Sequence, residues 1–119
     1  MKNVAHLAQL INHHSDHGAF RKFDYKTPEA NIEKYGQATA PDWPLEKIPS
    51  EVPITMICGQ LDGKSATKDI VRLENILRGR GQGKGKVNVE WLDGWDHESF
   101  LTARGPDAYF EIIENKVLG

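Results

Sequence analysis

Val52-Pro-Ile-Thr-Met-Ile-Cys-Gly59 is the most apolar stretch of the chain, and Gln-Leu-Asp62 follows it directly. Its β-branched residues predict a strand over 52–58 that is covered on both faces. A second strand-like run, Lys86-Val-Asn-Val-Glu-Trp-Leu92, precedes Asp-Gly-Trp-Asp-His97. A helix is predicted between them, with a cap within residues 65–69 and an end near Leu77. This order predicts parallel strands with a right-handed crossover, which places Asp62 and His97 at one sheet edge.

Length and composition indicate one small globular domain: 119 residues, 39% hydrophobic and 27% charged. The net charge of −2 gives no general attraction to nucleic acid or to an anionic membrane. No apolar run approaches the ~20 residues of a membrane span, and the N-terminal residues do not resemble a signal peptide. The single cysteine, Cys58, excludes an internal disulfide and is expected to be a buried, inert thiol.

The segments on either side of this unit have different patterns. Residues 2–17 predict an amphipathic helix, and residues 106–118 predict another that opens with Pro106. Residues 19–50 contain four prolines and five aromatics, which indicates irregular chain packed on a surface, with one or two helical turns around 28–35. We therefore divide the chain into an N-terminal segment, 1–50, and a βαβα unit, 51–119.

The predicted strand count is too small for a complete fold. Two parallel strands do not make a stable sheet, and the run 52–58 has the pattern of an interior strand. We therefore expect an α/β protein that is incomplete without a partner chain supplying the rest of the sheet.

A carboxylate and a histidine that follow neighbouring strands match two members of a Ser-His-Asp triad. The third is missing, because the chain has no Gly-x-Ser-x-Gly, and Ser15, Ser50, Ser65 and Ser99 do not lie in a strand-to-helix turn of that kind. The alternative is that Asp62 is a turn residue and His97 a loop residue without a task. Asp93 and Asp96 are rival carboxylates near His97, expected to be loop residues, and Glu98 is expected to be solvated.

Several motifs, in order, are similar to the C-terminal part of the acid lipases, the gastric and lysosomal lipase family of α/β hydrolases. The first is Asn3-Val-Ala-His-Leu-Ala-Gln9, and Gly59-x-x-Asp62 and His97-Glu-x-Phe100 match the family's triad motifs. Further matching positions lie between the first and the last of these motifs. They are Gly18, Phe20, Phe23, Asp24, Tyr25, Asn31, Tyr35, Gly36, Leu45, Ile48, Val52, Pro53, Ile54, Ala66, Asp69, Ile70 and Val71. The sequence departs from the family at Lys26, where Gly is usual, at Ser99, where Asp is usual, and in a longer basic link over 78–86.

The resemblance implies the C-terminal portion of an α/β-hydrolase fold and hydrolysis of neutral-lipid esters, with Asp62 as the triad acid and His97 as the base. It also implies a secretory or lysosomal location, and that the serine and oxyanion hole lie outside this chain. The chain alone is then expected to be inactive. The alternative function is a non-catalytic structural or interaction subunit, derived from a lipase, within a larger assembly.

Three other features of the sequence point to different functions. His13 and His17 are an i, i+4 pair, with His14 beside them, but nothing completes a zinc site, so no metal or cofactor is predicted. The run from Arg78 to Lys86 alternates glycine with basic or polar residues, which favours a mobile solvated connection over an RNA-binding or acidic-partner contact. The aromatics of residues 19–50 are expected to pack rather than to bind lipid.

Overall fold

The structure, a computed structural model, describes residues 1–12, 20–102 and 107–119. The chain divides into two compact units, Met1–Pro44 and Leu45–Gly119. The first contains helices α1 (Lys2–Asn12) and α2 (Pro28–Tyr35). The helix predicted over 2–17 is confirmed through Asn12, and its remainder lies outside the described residues.

Local capping explains why α2 forms inside a proline-rich segment. The Thr27 hydroxyl accepts a hydrogen bond from the Ala30 N–H at 3.2 Å, and Pro28 occupies the first turn, where no donor is needed. Gly36 ends the helix with a left-handed φ of 74°, and its N–H bonds the Ile32 carbonyl at 2.8 Å. The helical turns expected around 28–35 are confirmed.

Side-chain amides organise the irregular segment that surrounds α2. Gln9 forms a two-way bridge with the backbone of Asp24, donating to its carbonyl at 2.7 Å and accepting from its N–H at 3.0 Å. Asn31, only 3% exposed, donates to the Asp24 carboxylate at 2.9 Å and to the Ala38 carbonyl at 3.1 Å, and accepts from the Tyr25 N–H. A buried amide must be satisfied in this way, so these bonds specify the path of the chain. Three motif residues, Gln9, Asp24 and Asn31, thus belong to one hydrogen-bonded network.

The second unit is built on two parallel strands, β1 (Ile54–Gly59) and β2 (Val87–Leu92), with Ile54 opposite Val87 and Gly59 opposite Leu92. Helix α3 (Thr67–Arg78) forms the crossover. The predicted order of strand, helix and parallel strand is therefore confirmed. The buried apolar residues are Cys58, Leu77, Val87 and Leu92. Cys58 is buried as expected, and burial, together with the charges of Asp62 and Glu74, raises its pKa.

β1 has an open edge in the described chain. It pairs only with β2 there, and residues 54–57 are half-buried rather than covered on both faces. A strand of this apolar composition with unpaired backbone groups is a site for further pairing.

The link between α3 and β2 is anchored by a buried arginine. Arg80, in the tight turn α4 (Arg80–Gly83), is 1% exposed and donates to four backbone carbonyls at 2.6 to 3.3 Å. The acceptors are Leu77, Pro49, Val52 and Lys86. The prediction of a solvated connection is therefore wrong at Arg80. The guanidinium fork satisfies carbonyls at the end of α3 and beside the first residues of both strands.

The C-terminal part comprises α5 (Ser99–Thr102), α6 (Asp107–Ile112) and a π-helical turn, Ile113–Leu118. The helix predicted over 106–118 is confirmed from Asp107 onward, while Pro106 lies outside the described residues. The Trp95 ring meets Phe100 edge-on at 5.2 Å, and Phe100 meets Tyr109 at 5.9 Å. Among the described helices, none has the length and apolarity to cross a bilayer.

Candidate active site

Asp62 and His97 lie in direct contact. The loop after β1 places the Asp62 carboxylate 2.9 Å, measured from Oδ2, from Nδ1 of His97, which lies in the loop after β2. The Asp62 side chain is 7% exposed, whereas the imidazole is 53% exposed. The carboxylate is therefore enclosed on the inner side of the ring, while much of the ring is open to solvent.

Backbone amides hold the Asp62 carboxylate in position. Its other oxygen, Oδ1, accepts the N–H groups of Lys64 at 2.8 Å and of Ser65 at 3.0 Å, which leaves Oδ2 for the imidazole. Burial acts to raise the pKa of Asp62, but the hydrogen bonds from His97 and from the two amides outweigh it and lower the pKa. Asp62 is thus a fixed anion at neutral pH, and it favours the tautomer of His97 that carries its proton on Nδ1.

The two loops are also joined through their backbones. The Gln60 N–H donates to the Leu92 carbonyl at 3.0 Å, and the Leu61 N–H donates to the Trp95 carbonyl at 2.8 Å. These bonds continue the pairing of β1 with β2 beyond the ends of the strands. The distance between Asp62 and His97 is therefore set by main-chain geometry as well as by their own bond.

Of the two rival carboxylates, Asp96 is engaged by Ser99 and Glu98 rather than by His97. Asp96 Oδ1 accepts from the Ser99 hydroxyl at 2.7 Å and from the N–H groups of Ser99 and Glu98, and these bonds lower its pKa. Ser99 in turn accepts from the Asp96 N–H at 3.1 Å, so the two residues cap α5 reciprocally. Sequence reasoning considered Ser99 as a serine outside a nucleophile turn and as a departure from the family, and it missed this pairing with Asp96. Asp93 has no described bond to His97.

Glu98 forms an exposed ion pair with Lys64, with Nζ 3.3 Å from Oε1. The two residues lie directly beside the loops that carry Asp62 and His97. Sequence reasoning missed this contact, because nothing in the local pattern relates two charges 34 positions apart. Exposed pairs of this kind contribute little to stability.

None of the described serines hydrogen-bonds His97. The Ser50 hydroxyl donates to Glu51, Ser99 bonds Asp96, and the described bond of Ser65 is from its backbone N–H to Asp62. Ser15 and the three histidines His13, His14 and His17 lie outside the described residues. Within the described ranges, no group of three or more His, Cys, Asp or Glu side chains could hold a metal ion.

The chain is similar to plant triacylglycerol lipases. It is 31% identical over 100 residues to triacylglycerol lipase 2 of Arabidopsis thaliana, and this match covers 84% of this chain and 22% of that protein. It is 27% identical over 116 residues to triacylglycerol lipase 1 of the same plant, and this match covers 96% of this chain and 27% of that protein.

This similarity supports a lipase family without distinguishing the gastric and lysosomal branch within it. The chain spans about a quarter of the length of these relatives. No family model and no solved structure matches the chain.

Proposed function

We propose that this chain is the acid- and base-bearing part of an α/β-hydrolase that cleaves neutral-lipid carboxylic esters. The observation that carries the proposal is the 2.9 Å contact between His97 Nδ1 and an Asp62 carboxylate fixed by two backbone amides. In a triad, the base needs one ring nitrogen oriented by a carboxylate and the other accessible to the nucleophile. The half-exposed imidazole leaves Nε2 available for that task.

The proposed reaction moves one proton through His97. Nε2 accepts the proton of a serine hydroxyl as the serine oxygen attacks the ester carbonyl, and Asp62 stabilises the resulting imidazolium. His97 then gives that proton to the departing alcohol as the ester C–O bond breaks. Water, activated in the same way, releases the acid from the serine.

The nucleophile and the oxyanion donors would come from further polypeptide, because the sequence has no Gly-x-Ser-x-Gly and no described serine hydrogen-bonds His97. The open edge of β1 is where that polypeptide would continue the sheet.

The finer assignment to the acid lipase branch rests on the motif residues outside the site. Gln9, Asp24 and Asn31 form one network, and Gly59 packs against the loop of His97. These contacts give the matching residues structural reasons to recur together. The assignment implies triacylglycerols or steryl esters as substrates.

The experiment is reconstitution with a polypeptide that carries Gly-x-Ser-x-Gly and copurifies with this chain. The complex should hydrolyse p-nitrophenyl butyrate, and His97→Ala and Asp62→Asn should lower kcat by about 10⁴-fold, as triad substitutions do. Asp93→Asn, the same chemical change in the His97 loop, should leave kcat unchanged.

A complex that forms but hydrolyses no ester would contradict the catalytic proposal. It would favour instead the non-catalytic subunit, in which the lipase-like fold is retained for assembly. A chain that unfolds cooperatively as a monomer would show that no complementary partner is needed.

A further inference from the structure

A groove lined by basic side chains lies at the other end of the sheet from Asp62 and His97. This groove of about 330 Å³ opens beside the first residues of β1 and β2, and three basic side chains from separate parts of the chain line it. They are Arg78 at the end of α3, Lys86 before β2, and Lys116 in the C-terminal turn. A volume of this size accommodates a small ligand or the head of a larger one.

The charges around this groove are incompletely balanced. Arg78 pairs with Glu74 at 2.7 Å. Lys86 and Lys116 are exposed, and neither has an ion-pair partner in the part of the chain that the structure describes. Two uncompensated ammonium groups and one guanidinium at one hollow favour an anion.

Backbone carbonyls near the groove would repel an anion, but Arg80 neutralises this effect. Its guanidinium bonds the carbonyls of Lys86 and Val52, so these dipoles point to a buried cation. The charge of Arg80 adds to the positive potential in this region, because a buried charge is only weakly screened by solvent. Gly85 lines the groove, and an added Cβ would collide with the carbonyl of Leu77, so the close approach of the chain here requires glycine.

We infer that this groove binds a phosphate group through Arg78, Lys86 and Lys116. Phosphate suits the arrangement because it offers several acceptor oxygens to donors arriving from different directions. Two sources share this chemistry: free phosphate and the headgroup of an anionic lipid. Pro53 and Ile54 also line the groove and would contact a lipid chain. The inference is independent of the proposed hydrolase activity.

The test is an NMR titration of the full chain, in the state in which it purifies, with inorganic phosphate at low salt. Saturable shifts should appear at the amides of residues 85–88, and Lys86→Gln and Lys116→Gln should each weaken binding about tenfold. Lys68→Gln, an exposed lysine at the start of α3 with the same charge change, should leave binding unchanged. Added salt should weaken binding in the wild-type protein.

Dihexanoyl phosphatidic acid, with dihexanoyl phosphatidylcholine as its zwitterionic control, separates the two sources. Tighter binding of phosphatidic acid than of inorganic phosphate identifies a lipid headgroup, and equal binding identifies free phosphate; both support the site. No saturable shift, equal weakening by Lys68→Gln, or binding of a poly-glutamate peptide without binding of phosphate would overturn it. All these readouts are independent of esterase activity.

Discussion

Gly59, the last residue of β1, lies against the carbonyl group of Trp95 in the loop that carries His97. A Cβ placed on Gly59 would come within 2.5 Å of the Trp95 oxygen and 3.2 Å of the Asp96 oxygen. These are backbone atoms, so they cannot turn aside as a side-chain tip could. The absence of a side chain at this position is what lets the two loops approach closely enough for Asp62 to reach His97.

Gly59→Ala should therefore separate the two loops. Overpacking against backbone typically costs 1–3 kcal/mol, so we expect the free energy of unfolding in urea to fall by about 2 kcal/mol. The fraction of His97 that carries its proton on Nδ1, measured by ¹⁵N NMR, should also fall. Gly63→Ala is the matched control, because nothing lies within 4 Å of its added Cβ. Equal effects of the two substitutions would show that the Gly59 contact does not position the site.

The lowered pKa of Asp62 predicts how the ionised carboxylate contributes to the stability of the fold as the pH changes. Because the folded pKa is below the ordinary value near 3.9, the ionised carboxylate stabilises the fold above that value. This stabilisation is lost as the pH falls through the lowered pKa. Unfolding free energies of the wild type and of Asp62→Asn, measured from pH 7 to pH 2, should differ most at neutral pH and converge in acid. A difference that stays constant over this range would contradict the assignment.

Arg80 should be essential to the second unit. Arg80→Met removes a buried guanidinium together with its hydrogen bonds to four backbone carbonyls, and hydrogen bonds of a charged group contribute about 1.5–3 kcal/mol each. We expect the free energy of unfolding to fall by at least about 3 kcal/mol, or the unit not to fold. Arg72→Met removes an exposed arginine that pairs with Asp69 and should change stability by less than about 0.5 kcal/mol. Circular dichroism during urea unfolding measures both, and a stable Arg80→Met protein would contradict the role.

Asn31→Asp should destabilise the first unit. The substitution replaces the donors to Asp24 and Ala38 with an acceptor and brings two carboxylates together in a buried place. We expect a loss of about 2–3 kcal/mol at neutral pH, with partial recovery in acid as one carboxylate gains a proton. Asn3→Asp, the same change on an exposed turn of α1, is the control. Thermal unfolding at pH 7 and pH 4 would reveal the effect, and equal stability of the two variants would disprove it.

The local patterns of the second unit were sufficient to predict its order. The apolar run of β1, the alternation in β2 and the apolar spacing of the helix between them depend on short-range rules of backbone and side-chain preference, and the structure follows those rules. The side-chain cap expected within residues 65–69 is wrong, because the residue at the N-cap is Ala66, which has no side-chain acceptor. Arg80 shows where such rules fail. Its neighbours are glycines and basic residues, a pattern typical of solvated chain, and only the tertiary arrangement brings four carbonyls from separate segments around it.

The sequence by itself determined that Asp62 and His97 follow two parallel strands, because strand order and residue spacing are written in the chain. Only the tertiary structure decided that Oδ2 of Asp62 meets Nδ1 of His97, that Ser99 engages Asp96, and that Gly59 admits the Trp95 loop. The physical reason is range. Periodicity and capping act over a few residues, whereas contacts between loops depend on main-chain approach and hydrogen bonds across segments that no local pattern relates.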